Sequence, residues 1–165
     1  MRPLLLLLAA LALPARTAAQ PVLQPVTHEA WREVLASHRG DLVVVDFWAT
    51  WCLPCIERFP RMVELSERYA DAGVTFIAFS LDDRGDAGAM AMAGSFIAEQ
   101  GGRIEHYVTA EVIPVAFEHL DLLGIPAVKI YARDGTLART LDADDPNDQF
   151  TDEDVEEAIL ELLGP

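Results

Sequence analysis

Apolar and polar positions fall into blocks that predict strands and helices in turn. Val43, Val44 and Val45 form a β-branched run that Phe47 and Trp48 continue, with Asp46 set inside it. So continuous a run predicts a strand buried on both faces, as in the middle of a sheet. Ala49-Thr50-Trp51 turns the chain, and from Cys52 the spacing becomes helical through Ile56, Phe59, Met62, Val63, Leu65 and Tyr69. Pro54 is tolerated in that helix's first turn, where its missing N–H has no partner anyway. Pro60 falls inside the helix, deletes one backbone hydrogen bond and predicts a kink. After Gly73, Val74 to Phe79 is a second apolar run, read as the next parallel strand of a βαβ unit.

The same reading extends to both ends. Thr27 is placed to cap a first helix carrying Ala30, Trp31, Val34 and Leu35 and closed by Gly40. Asp82-Asp83-Arg84-Gly85-Asp86 reads as a polar loop, and Met90, Ala93, Phe96 and Ile97 as a helix ending at Gly101-Gly102. Ile104 to Val108 is a short strand and Ala116 to Leu123 a short helix. Ala127 to Ala132 and Leu137 to Leu141 flank Arg133-Asp134-Gly135-Thr136, a hairpin signal. Asp142 to Asp148 is a solvated acidic loop without the ligand spacing of a hand-type calcium site. Thr151, with Asp154 three residues on, caps a last helix with Val155, Ala158, Ile159, Leu162 and Leu163 on one stripe. The alternation predicts an α/β fold, with no repeat and no second domain.

The first residues have a different character. Arg2 precedes an apolar stretch from Leu4 to Leu13, and Thr17-Ala18-Ala19 supplies small residues for cleavage. A membrane span needs about 20 apolar residues, so this segment is expected to be a signal peptide over 1–19, with an uncleaved anchor as the alternative. One domain over 20–165 follows. The net charge of −15 becomes −17 once Arg2 and Arg16 are gone. Such a surface disfavours nucleic acid and anionic membranes as partners.

An exported chain can use disulfides as staples, yet Cys52 and Cys55 are its only cysteines. Closing so short a loop removes little unfolded-chain entropy, which makes a structural staple a poor account of the pair. A metal site lacks two further ligands at recognisable spacing, and His28, His38, His106 and His119 form no ligand motif. A dithiol at a helix start suits thiol–disulfide exchange instead. The unsatisfied N–H groups and the helix dipole stabilise a thiolate on Cys52, the nucleophile of that chemistry. Cys52 is the expected attacker and Cys55, one turn deeper, the resolving thiol.

Asp46-Phe47-Trp48-Ala49-Thr50-Trp51-Cys52-Leu53-Pro54-Cys55 resembles the active-site segment of the thioredoxin superfamily, and Gly124-Ile125-Pro126-Ala127-Val128 resembles its cis-proline loop. The resemblance runs from about Val26 to Leu163. It implies a thioredoxin fold, a central mixed β-sheet flanked by helices, with no dissociable cofactor and no metal. A segment of about 82–115 exceeds the minimal fold. Together with Phe79-Ser80-Leu81-Asp82 and Pro60, it is similar to the exported TlpA/ResA-like branch.

The resemblance also implies roles. Asp46 becomes a buried proton shuttle for Cys55, with a backbone-bonded strand-end aspartate as the plainer reading. Trp51, Pro54, Ile125 and Pro126 become the substrate-binding surface, with Pro126 cis, while Trp48 is packing. Two departures stand out. Thioredoxins usually pair this acid with a lysine on the neighbouring strand, and Phe76 to Leu81 contains none. The exported branch commonly has glutamate three residues after the second cysteine, where this chain has Arg58, with Glu57 beside it. The resulting expectation is a periplasmic or secreted thiol–disulfide oxidoreductase, monomeric, reducing protein disulfides with electrons from a membrane donor. A redox-inert thioredoxin-fold module that binds a peptide or metallochaperone is the alternative, and a thioredoxin-fold peroxidase is a more distant one.

Overall fold

A computed structural model describes residues 22–143 and 149–164. The expected leader over 1–19 lies outside the described residues, as does the 144–148 part of the acidic loop. In chain order the elements are β1 (Gln24–Val26), α1 (His28–Ser37), β2 (Leu42–Trp48), α2 (Leu53–Arg68), β3 (Val74–Ser80) and α3 (Ala87–Gln100). They continue with β4 (Ile104–Thr109), α4 (Ile113–His119), β5 (Ala127–Tyr131), β6 (Leu137–Asp142) and α5 (Asp152–Leu163). The sheet order is β1-β4-β3-β2-β5-β6. The first four strands in that order pair in parallel, while β5 and β6 are antiparallel to their neighbours. This is the mixed sheet of the thioredoxin fold.

The apolar run does become the centre of the sheet: every residue of β2, Asp46 included, is buried. Its two faces carry separate packing. On one, Phe47 lies 5.6 Å from Phe79, and Trp31 of α1 meets Phe79 and Tyr107 edge-on at 4.9 and 6.0 Å. On the other, Leu42 and Val44 join Met62 and Leu65 of α2 and Val155 and Ile159 of α5 in one buried cluster. Trp48 sits 5.2 Å from both Phe59 and Phe96, so α3 helps to cover the end of β2. The helix α2 continues through Pro60 to Arg68.

Two elements differ from the sequence reading. The short strand β1 was not expected; three residues carry no period, and its pairing with β4 is long-range. The helix expected over Ala116–Leu123 runs instead over Ile113–His119. Pro114 fits its first turn, and Asp121, at φ 50°, ends any continuation. The strand β4 lies inside the sheet between β1 and β3, so the 82–115 segment is built into the architecture. Gly102 admits the close turn before β4: its φ is +88°, and a Cβ there would stand 3.0 Å from Val63 Cγ1.

Candidate active site

The dithiol stands at the carboxyl end of the central strand. Cys52 is the N-cap of α2 and Cys55 lies in its first turn; the two are joined in a disulfide with Cα atoms 5.3 Å apart. The Cys52 amide donates to the Ala49 carbonyl at 3.1 Å, which tightens the turn out of β2. Both cysteines are mostly covered, at 5% and 2% exposure, while Trp51 at 56% and Leu53 at 65% stand out beside them. Pro54 is exposed as well. A nucleophile at this helix start therefore has an apolar rim for a partner's chain. Cys55 Sγ lies 4.0 Å from the Phe47 carbonyl oxygen, one residue along the strand from Asp46.

The second loop arrives by register. Ala127 pairs with Phe47 across β2 and β5, so Pro126 stands at the strand end from which the cysteine turn departs. The Ile125–Pro126 bond is cis; Pro126 is buried and Ile125 half-buried. The chain's one lysine fastens this loop. Lys129 Nζ donates to the carbonyls of Leu120 at 2.8 Å and Asp121 at 3.0 Å, holding the end of α4 against β5. Charge at a helix carboxyl end is favourable there.

Asp46 is buried on β2, flanked by Ala78 on β3 and Val128 on β5. Burial disfavours its charged form and pushes its pKa up to about 7; Arg58 opposes this shift and Asp152 adds to it. Neither β3 nor the Asp46-facing side of β5 supplies a lysine, because Lys129 is opposite Val45 and turns to the other face. Glu57 is exposed on α2, whereas Arg58 is half-buried and donates from Nε to Asp152 Oδ1 at 2.8 Å. Trp48 is fully buried, as its packing assignment requires.

Sequence reading missed a further carboxylate. Asp82, grouped there with a polar loop, is fully buried. Its Oδ1 accepts from the Thr50 amide at 3.1 Å and the Thr50 hydroxyl at 2.6 Å, and its Oδ2 accepts from the Ser80 hydroxyl at 2.8 Å. The end of β3 thus grips the turn that carries Trp51 and Cys52. A signal was present in the strand running directly into Asp82, which places the residue level with Thr50. The histidines take surface or packing positions. His106 is buried, and burial lowers its pKa to about 4, leaving a neutral ring. His28 and His119 lie 4.5 Å apart, with Glu111 2.9 Å from His119 Nδ1.

Comparison with known proteins agrees with this geometry. The thioredoxin family profile matches residues 22–112. Thioredoxin-1 of Schizosaccharomyces pombe is 42% identical over 76 residues, which are 44% of this chain and 72% of that protein. The thiol-disulfide oxidoreductase ResA of Oceanobacillus iheyensis is 44% identical over 48 residues, 29% of this chain and 25% of the relative. Among solved structures, a candidate thiol:disulfide interchange protein DsbE from Chlorobium tepidum superposes with a TM-score of 0.62 at 27% identity. That match covers 79% of this chain and 85% of the other.

Proposed function

Since the chain belongs to the thioredoxin family and is a thiol–disulfide oxidoreductase by that kinship, we propose that it acts as an exported reductant of protein disulfides through Cys52 and Cys55. The observation that carries this reading is the bonded Cys52–Cys55 pair at the start of α2, with buried Asp46 one strand residue from the Cys55 contact.

The reaction begins with both cysteines reduced. The Cys52 thiolate attacks one sulfur of a substrate disulfide, forming a mixed disulfide and releasing the other substrate sulfur as a thiolate. Asp46, as carboxylate, takes the proton of the Cys55 thiol. The Cys55 thiolate then attacks Cys52 Sγ, and the second substrate sulfur leaves. Two electrons have passed to the substrate, and the protein holds the Cys52–Cys55 disulfide. Trp51, Pro54, Ile125 and Pro126 form the surface on which the substrate backbone lies during exchange. Return to the dithiol needs a donor of two electrons, which for an exported monomer is a membrane dithiol protein. The leader over 1–19 supplies the address, periplasmic or secreted.

Insulin reduction tests the chemistry. Cys52→Ser is expected to abolish it and Cys55→Ser to accumulate mixed disulfides that non-reducing gels resolve. Full insulin-reducing activity in Cys52→Ser would falsify the mechanism. Fractionation of expressing cells tests the address: a shortened chain outside the cytoplasm is expected, and a full-length cytoplasmic one would overturn export.

A further inference from the structure

Arg58 occupies an unusual position for a surface-helix arginine. It lies one turn beyond Cys55 on α2, and its Cζ stacks 4.0 Å from the centroid of Phe150. Among the described residues only Nε has a hydrogen-bond partner, Asp152 Oδ1 at 2.8 Å in the first turn of α5. Nη1 and Nη2 are both buried without a partner among those residues. A planar guanidinium has five donors, and burying two of its nitrogens without a protein partner is costly unless their charge is used. Beneath the same helix, buried Asp46 accepts no hydrogen bond from any described residue and has Ala78 and Val128 as its sheet neighbours.

We propose that Arg58 is a positioning residue for proton transfer at Cys55: seated between Phe150 and Asp152, it supplies the positive charge that Asp46 lacks from the sheet, and Asp152 sets how much of that charge Asp46 feels. The inference rests on the reading of Asp46 as the proton acceptor. The surroundings leave these charges as the relevant pair. From β3 and β5 only Ala78 and Val128 adjoin Asp46, and Lys129 is committed to carbonyls on the opposite face. Along α2 and α5, Arg61 pairs with Glu64 and Glu156, and Arg68 with the same two glutamates. Cys55 itself is bonded to Cys52 in the oxidised protein. Arg58 favours the Asp46 carboxylate and Asp152 disfavours it, so the two act with opposite sign.

That opposition gives a test that mere packing cannot imitate. Carbon-13 NMR of the full chain, oxidised and labelled at aspartate carboxyls, follows the Asp46 signal with pH; Asp46→Asn assigns it. Arg58→Gln should move the midpoint upward by about one pH unit, Asp152→Asn should move it downward, and Arg58→Lys should stay near the parent. If Arg58 only sealed the site, its loss would admit water to Asp46 and lower the midpoint instead. A fall or no change in Arg58→Gln, or no fall in Asp152→Asn, overturns the proposal. Should Arg58→Gln fail to fold, Asp152→Asn decides alone. These titrations are independent of turnover. If Asp46→Asn resolved mixed disulfides at the parental rate, the proton-acceptor role would fail while the charge coupling stood.

Discussion

Asp46 weakens the fold under the conditions in which it can work as a base. Its folded value of about 7 stands above the ordinary 3.8, so between those values the folded protein keeps a proton that the unfolded chain has released. Stability is therefore full below the ordinary value and is lost as pH rises through about 7. Asp46→Asn removes this titration while keeping the shape of the protonated acid. At pH 8 the oxidised variant is expected to be more stable than the parent by on the order of a few kcal/mol, and near pH 4 the gap should close. Denaturant melts at both pH values measure it, and a gap that does not grow with pH contradicts a buried, reluctant carboxylate. Asp82 acts in the opposite sense. Asp82→Ala strands the Thr50 amide and hydroxyl and the Ser80 hydroxyl. It should cost about 1–3 kcal/mol, and the Thr50 amide should exchange with solvent faster than in the parent.

Elements joined by short, close turns give a second kind of prediction. Gly102 lets the chain leave α3, pass against α2 and enter β4, where Arg103 donates its amide to Ser66 Oγ at 3.1 Å. Gly102→Ala imposes a Cβ at φ +88° and 3.0 Å from Val63 Cγ1. A loss of about 1–3 kcal/mol is expected, read as a lower denaturant midpoint with the dithiol still active. The elements that periodicity foretold were those whose signal is local. The apolar run of β2 around Asp46, the stripes of α2 and α5, the Asp-Gly hairpin and the Thr151 capping box each carry their cause within a few residues. An element set by a distant partner escaped: the strand β1 exists through β4. The early start of α4 was a local signal passed over, since Pro114 suits a first turn. The candidate site divides in the same way. The paired cysteines at the start of α2 and the cis Ile125–Pro126 bond could be read from motifs, whereas the settings of Asp82 and of Arg58 beside Asp152 depend on contacts 32 and 94 residues apart in sequence.

The direction of electron flow is a property of the whole molecule, because it depends on how well the folded protein tolerates a new thiolate relative to a neutral disulfide. The start of α2 favours the thiolate and so pulls toward an oxidant, as in strongly oxidising proteins whose reduced form is stabilised. Two features pull the other way. A chain of net charge −15 repels further negative charge, and Asp46, once ionised, places a buried carboxylate on the strand residue before Phe47, whose carbonyl oxygen lies 4.0 Å from Cys55 Sγ. The second effect is short-range and in low dielectric, so it should prevail over the screened helix terminus. We therefore expect the domain, equilibrated against glutathione or dithiothreitol buffers, to show a potential near or below about −250 mV, close to that of a thioredoxin. Asp46→Asn should be more oxidising, with the difference widening above pH 7 as the parental carboxyl ionises. Added salt should shift the parent slightly in the same direction by screening its surface charge. A parental value above about −150 mV would mean that the helix terminus dominates, and the protein would then serve as a disulfide donor or isomerase.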